Sequence, residues 1–309
     1  MKHQISLDNS LNSCPICDDK HNQIKGHELK KTHQIIDKVF IEIKNPAKHY
    51  LQTCEKCNVS YKSNFPSMKT ESFLTYIWKT NSSSRYQDKT SKKLKKIAKY
   101  ISNLSKSKKI KVLDIGIGEG SYLDIIAGEQ NIEIYIMDCD QKVLDRVGDK
   151  INAKKILADI GKQNEIEDYH QKFDVITAFD LIEHIPSSSF IENINLLLKK
   201  DGTFLAETGN KDNLFCKIFG LENWWYFNII EHKVFWSKKA LYQKLISSGF
   251  VDIKIKNAIH KDRRLINLSK DFVKSIMWLI KIAFLRKNII VERNPKFPIR
   301  DQLFVNAKK

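Results

Sequence analysis

The chain has no long apolar run. Its most apolar stretch, residues 275–285, is broken by Lys281 and falls well short of the roughly 18 to 20 residues a membrane span needs. The first ten residues, Met1 to Ser10, carry neither an apolar core nor a small-residue cleavage site, so no secretory signal is read and a cytoplasmic, reducing location is expected. No internal repeat is visible. Cysteine is scarce, six residues in all, and in a reducing location a disulfide framework is not expected. Acidic residues are outnumbered: 36 Asp and Glu face 53 Lys and Arg, for a formal charge of +17 and a pI near 9.4. That balance admits nucleic acid, anionic lipid or anionic glycan as partners. The excess is mostly Lys spread along the chain, however, and reads as a solvated surface.

With 309 residues and 42% apolar content, the chain can bury one large core and a small appended module. Residues 1–68 read as that module, built of short strands such as Val39–Ile43 and too small to fold without a staple. Four of the six cysteines supply one. Cys14 and Cys17 form one Cys-x-x-Cys pair, and Cys54 and Cys57 form a second, with 36 residues between the pairs. Two knuckles delivering thiolates in pairs suit a tetrahedral ion, so a zinc ribbon with a structural zinc is expected. Two disulfides and a redox-active pair are the competing readings. His27, His33 and His49 could replace a ligand, although four Cys suffice. Cys139 and Cys216 stand alone and are expected to be inert.

Residues 69–108 read as a helical linker or cap. Within them, the nine lysines of Ser91 to Lys111 resemble a nucleic-acid arm. Yet Leu94, Ile97, Ala98, Ile101 and Leu104 fall at helical spacing, which favours an amphipathic helix with a basic outer face. From 109 onward strand and helix patterns alternate: strands at 110–115, 132–137, 156–158, 173–179 and 202–207, helices at 122–128 and 190–199. That order predicts an α/β domain with a mainly parallel, doubly wound sheet over 109–309. A further helix at 238–248 and strands at 251–256 and 302–307 follow, with a helical insertion at about 258–299. Within the insertion, residues 272–285 are apolar on nearly every side. They are read as core or lid packing, with peripheral membrane contact as the other reading.

Val112-Leu-Asp-Ile-Gly-Ile-Gly-Glu-Gly-Ser-Tyr122 is a strand running into a glycine-rich turn. Gly116, Gly118 and Gly120 clear side chains from a place where a ligand must touch backbone, and the helix beyond offers free N–H groups. Asp138 ends the next strand, 22 residues after Gly116, where an acid takes ribose hydroxyls. Dinucleotide binders place their third glycine one residue later, at Ser121 here, so a nicotinamide or flavin cofactor is disfavoured.

The ordered set Leu-Asp-Ile-Gly-Ile-Gly-Glu-Gly at 113–120, Ile-Tyr-Ile-Met-Asp-Cys-Asp at 134–140, Leu-Ala-Asp-Ile at 157–160, Phe-Asp-Val-Ile-Thr-Ala-Phe-Asp-Leu-Ile-Glu-His-Ile-Pro at 173–186 and Leu-Lys-Lys-Asp-Gly-Thr-Phe-Leu-Ala-Glu-Thr at 198–208 resembles the successive motifs of class I S-adenosylmethionine-dependent methyltransferases. The resemblance covers about 105–255. It implies a Rossmann-like seven-stranded sheet with the last strand antiparallel. It also implies that Asp114, Gly116, Gly118 and Gly120 hold the methionine part of S-adenosylmethionine, Asp138 the ribose and Asp159 the adenine amino group, with Phe179 lining the cofactor.

A cysteine module ahead of such a domain is similar to bacterial small-molecule and sugar methyltransferases. In those relatives a Glu-His followed by an aromatic and Ser serves acceptor deprotonation. The stretch Asn223-Trp-Trp-Tyr-Phe-Asn-Ile-Ile-Glu-His-Lys-Val-Phe-Trp-Ser237 then nominates His232 as general base with Glu231 as its partner. Trp224, Trp225, Tyr226 and Phe227 could stack a sugar, an aromatic ring or a base, or form a hydrophobic lid. Asp180, Glu183 and His184 are similar to a metal-associated set in ubiquinone-pathway O-methyltransferases; on a helix the three would share a face. A packed His and a helix-start acid form the alternative.

The sugar enzymes carry a further large C-terminal domain that has no counterpart in this chain, which argues against C-methylation of a nucleotide sugar. Methyl transfer to a small molecule or glycan is therefore expected, as O-methylation in surface-polysaccharide or secondary-metabolite biosynthesis, with no nucleic-acid partner. An RNA methyltransferase and a non-catalytic scaffold of the same fold are the other two readings. No Asn-Pro-Pro-Tyr type motif and no Pro-Cys nucleophile support the first of these.

Overall fold

A computed structural model describes residues 2–5, 9–19, 24–28, 33–36, 39–43, 50–65, 92–117, 122–228, 231–259, 273, 276–277, 289–291 and 300–309. The chain divides into two compact units. One comprises Arg85–Thr208, Leu241–Asn257 and Leu303–Lys309; the other comprises Met1–Ser84, Gly209–Ala240 and Ala258–Gln302.

The first unit is built on a seven-stranded sheet. Its strands are β1 (Ile110–Ile115), β2 (Ile132–Asp138), β3 (Lys154–Leu157), β4 (Phe173–Phe179), β5 (Leu198–Gly209), β6 (Val251–Ala258) and β7 (Gln302–Lys308). Their order is β3-β2-β1-β4-β5-β7-β6. The first five pair in parallel, with Val112 beside Ile134 on one side and Val175 on the other. β7 runs the opposite way along β5: the Lys309 N–H donates to the Gly202 carbonyl at 3.0 Å and Lys308 Nζ to Thr203 Oγ1 at 2.7 Å. This is the mixed sheet, with its last strand in sequence antiparallel, that the sequence resemblance implies.

Helices cover the sheet because the apolar residues between strands recur at helical spacing. In α1 (Lys92–Leu104), Ile97, Ala98 and Ile101 are buried and the lysines lie on the other faces, so the basic run is the outer face of a core helix. α2 (Leu123–Ile126) follows β1 at the glycine turn. In α3 (Gln141–Ile151) the Asp140 side chain accepts from the Lys142 N–H, and left-handed Asn152 ends the helix, a cap at each end. Residues of α1, α2 and α3 pack over Val112, Ile136, Val175 and Leu205 in one apolar cluster. α4 (Phe190–Leu197) and α5 (Lys238–Ser247) complete the helices flanking the strands. The sheet order reverses between β1 and β4, and in such folds ligands bind beyond the carboxyl ends of the strands at that reversal.

Among the described residues the second unit holds three small sheets and buries Leu51, Val59, Tyr61, Trp224, Phe235 and Trp236. Ile24–Glu28, Tyr50–Cys54 and Ser60–Lys62 pair antiparallel in succession, and Val234–Phe235 adds to the edge of Ser60–Lys62. A second sheet joins Lys2–Ile5, Val39–Ile43, His33–Ile36 and Ile289–Val291, and Asn9–Ser10 pairs with Asn64–Phe65. Of the apolar stretch 272–285, only Val273, Ile276 and Met277 are described; they are helical and exposed. The rest of it, and all of 69–91, lies outside the described residues. Among the described residues no helix is long and apolar enough to cross a membrane.

Candidate functional site

At the carboxyl end of β1 the chain turns at Gly116, whose φ of +66° favours glycine; a Cβ there would also meet Leu181 Cδ1 at 2.5 Å. Two residues earlier lies Asp114, 5% exposed. Thr177, its neighbour on β4, donates its hydroxyl to Asp114 Oδ1 at 2.5 Å, and the Tyr122 hydroxyl meets that of Thr177 at 2.5 Å. Burial pushes the Asp114 carboxyl up to about 7, against the lowering effect of the Thr177 and Tyr122 hydrogen bonds. A buried carboxylate at a glycine turn can hold an ammonium group, and an α-amino group is one.

Asp138 ends β2, where its Oδ1 accepts the Asp140 N–H at 3.0 Å. Asp159 follows β3; its Oδ1 accepts the Gly161 N–H at 2.9 Å and its own N–H donates to Glu165 Oε2 at 2.8 Å. The two acids flank Cys139. Cys139 is exposed at the surface, and desolvation of its sulfur followed by the charges of Asp138 and Asp159 pushes its thiol up to about 11. Phe179 ends β4, edge-on to Tyr122 with centroids 5.5 Å apart and stacked on Phe304 at 6.4 Å. Asp114, Asp138, Asp159 and Phe179 thus all stand at the carboxyl ends of β1 to β4. Gly118 and Gly120 lie outside the described residues. Thr177 and Tyr122 were not nominated by sequence, since neither carries a motif of its own; Tyr122 directly follows the glycine turn.

Residues 180–184 do not meet the condition under which Asp180, Glu183 and His184 would share a face. They form a turn beyond β4, not a helix, with Asp180 in the left-handed region at φ +49°, so the common helical face for Asp180, Glu183 and His184 does not form. Glu183 is fully buried and accepts the Thr208 hydroxyl at 2.8 Å. Burial likewise pushes the Cys216 thiol up to about 12, in keeping with an inert cysteine.

In the other unit, two matching turns bring the cysteines together. The Asp18 N–H donates to the Cys14 carbonyl and the Asn58 N–H to the Cys54 carbonyl, at 3.0 and 2.8 Å, and both Asp18 and Asn58 take positive φ. The four Sγ atoms of Cys14, Cys17, Cys54 and Cys57 lie within 4.8 Å of one another, with Cys14–Cys57 and Cys17–Cys54 at 3.6 Å. Thiolates around a tetrahedral zinc sit about 3.8 Å apart, given Zn–S bonds of about 2.3 Å. The hydrogen bond from Cys57 holds the Cys14 thiol down to about 6, and the same contact pushes Cys57 well up. Four thiolates so close repel one another without a cation between them, so the donor set fits a bound zinc.

The same unit carries the aromatic stretch. Trp224 and Trp225 both donate their indole N–H to Asp301 Oδ2, at 3.2 and 2.5 Å. Tyr226 packs between Trp224 at 4.9 Å and the His232 ring at 4.3 Å. His232 Nδ1–H donates to the Tyr226 carbonyl at 2.6 Å, which places the lone pair of the neutral ring on Nε2. Glu231 is oriented by Asn228, whose Nδ2 donates to Glu231 Oε2 at 2.8 Å. Ser237 accepts the Ala240 N–H and so caps α5. Asp301 lacked any local sequence signal, because its partners lie 76 and 77 residues away.

Comparison with known proteins gives a family and its neighbours. A family model described as a methyltransferase domain matches residues 85–255. Two curated relatives, each named ubiquinone biosynthesis O-methyltransferase, are 31% identical over 108 residues (Actinobacillus pleuropneumoniae serotype 7, strain AP76) and 36% identical over 109 residues (Glaesserella parasuis serovar 5, strain SH0165). Each match covers 33% of this chain and 46% of the relative, so the chain spans about half the length of the curated relatives it matches. Among solved structures, a SAM-dependent methyltransferase from Archaeoglobus fulgidus is 18% identical, with a TM-score of 0.48, over 77% of this chain and 100% of that one.

Proposed function

We propose that the chain, which belongs to the methyltransferase-domain family, is an S-adenosylmethionine-dependent methyltransferase that methylates an oxygen of a small molecule or glycan in surface-polysaccharide or secondary-metabolite biosynthesis. The observation that carries the donor half of this reading is the buried Asp114 carboxylate beside Gly116, held by Thr177. An ionised Asp114 takes the donor's amino group, Gly116 to Gly120 let its carboxylate reach backbone, and Asp138 and Asp159 offer acceptors for ribose and adenine. Bound there, the sulfonium supplies an activated methyl group.

The remaining work falls to residues that position the acceptor and take its proton. We assign that proton to His232 Nε2, the ring being oriented through Nδ1 by the Tyr226 carbonyl, with Glu231 as its partner. The names of the two curated relatives support oxygen as the atom methylated. We further propose that Cys14, Cys17, Cys54 and Cys57 hold one structural zinc and that the protein acts in the cytoplasm.

Incubation with methyl-labelled donor and separated cell fractions tests the reading. Label is expected in the glycan or small-molecule fraction. Label confined to RNA would replace it with the nucleic-acid reading, which the charge of +17 keeps in view.

A further inference from the structure

We propose that Gln302 binds the acceptor: its buried carboxamide, facing Trp224 and Tyr226, pairs with two adjacent hydroxyls on a ring. This rests on the methyltransferase reading above and names the chemistry of the molecule that receives the methyl group.

The register of β5 and β7 sets where Gln302 points. The Asn210 N–H donates to the Asp301 carbonyl at 2.8 Å and the Lys309 N–H to the Gly202 carbonyl at 3.0 Å, so Gly209 stands opposite Gln302. Directly opposed residues of an antiparallel pair project to the same face, with Cβ atoms about 4.5–5.5 Å apart. A Cβ at Gly209 would land 2.5 Å from Trp224 Cη2 and against the Tyr226 ring. The Gln302 side chain therefore projects toward the same two rings. It is fully buried, and among the described residues neither Oε1 nor Nε2 has a hydrogen-bond partner. Buried carboxamides are almost always paired, because leaving one unpaired costs folding free energy. Leucine or methionine would fill the position without that cost.

A carboxamide presents an acceptor and a donor side by side. Two neighbouring ring hydroxyls answer it: one donates to Oε1 and the other accepts from Nε2. The rings beside it suit the flat face of such a molecule, and Asp301 fixes both indoles in place. His232 belongs to the same cluster, 4.3 Å from the Tyr226 ring centroid. A diol held by Gln302 thus lies within the group of side chains that carries the base. A pyranoside and a catechol share this chemistry. Since Trp224 and Tyr226 cover Gln302 (1% and 4% exposed), binding must move them, and indole fluorescence reports it.

The test uses the full chain loaded with zinc. Fluorescence is titrated with methyl α-D-glucopyranoside against its 2-deoxy counterpart, and with catechol against phenol. At least one diol should bind about tenfold or more tightly than its partner lacking one hydroxyl, and which one does identifies the source. Gln302→Leu and Gln302→Met should erase that preference without lowering the unfolding temperature. A preference that survives in both variants, or no diol binding to the wild type, overturns the proposal, as does a lowered unfolding temperature with the preference unchanged. Donor binding, measured by calorimetry on the same samples, separates the two levels. Intact donor binding with no diol preference removes only the role of Gln302, whereas absent donor binding removes the methyltransferase reading itself.

Discussion

Thr177 holds Asp114 across the junction of β1 and β4, its hydroxyl 2.5 Å from Asp114 Oδ1. Tyr122 closes on the same hydroxyl from beyond the glycine turn, also at 2.5 Å. Since Thr177 has one proton and directs it at Asp114, it accepts from Tyr122, and three residues from two strands and a turn fix one carboxylate.

This arrangement makes stability depend on pH. Burial raises the Asp114 carboxyl from the ordinary 3.8 to about 7. Between those values the folded chain binds a proton that the unfolded chain has lost, so stability falls as pH rises from about 4 to about 7. The penalty above that window reaches up to about 4 kcal/mol. Asp114→Asn should therefore melt higher than the wild type at pH 8 in the absence of donor, with the difference vanishing near pH 4. Thermal melts of both proteins across that range check this; a difference independent of pH would refute it.

Donor affinity should follow the same ionisation in the opposite sense. An ionised Asp114 holds the donor's ammonium group, so affinity should rise with pH through about 7, and Thr177→Val should weaken binding about tenfold by removing one charge-assisted hydrogen bond. Calorimetry with the demethylated product gives both quantities.

Gly116→Ala should destabilise the chain by about 1–3 kcal/mol through positive φ alone. Leu181→Ala in the same chain should recover only the part that comes from the Cβ contact with Leu181. Full recovery in a denaturant melt would show that crowding, not backbone conformation, keeps glycine there.

His232→Ala should lower turnover by about 100- to 10,000-fold while leaving donor affinity unchanged. Glu231→Gln should cost less, since it removes a partner of the base rather than the base. Unchanged turnover in His232→Ala, measured with whichever acceptor takes label, would move the base elsewhere.

Metal analysis should find one zinc per chain, and Cys54→Ser should abolish it. Binding free energies of structural zinc sites are about 10–16 kcal/mol in small domains, as large as the whole stability of an ordinary domain. A chelator should therefore remove the melting transition of the cysteine unit while sparing that of the seven-stranded unit.

Sequence periodicity disclosed the seven strands and the helices between them, because each carries its own apolar pattern and is bounded by turn residues. β4 was read at its observed limits of Phe173–Phe179, and the lysine-rich segment as an amphipathic helix. Cys14, Cys17, Cys54 and Cys57 were legible by spacing, and Asp114 and Gly116 by motif. What escaped depends on distant partners. Val234–Phe235 joins the ribbon sheet beside Tyr61 and Ser60, which lie 173 and 175 residues earlier in the chain. Asp301 anchors two tryptophans, and Gln302 faces Gly209. None of these leaves a local trace. Asp180, Glu183 and His184 would share a face only on a helix, and Asp180 at positive φ starts a turn there instead.

Calorimetric titration of the zinc-loaded chain with S-adenosylmethionine tests the central claim most directly. One donor should bind per chain, with affinity weakened at least tenfold by Asp114→Asn. No heat with the donor or with its demethylated product, from folded and zinc-replete protein, would contradict it.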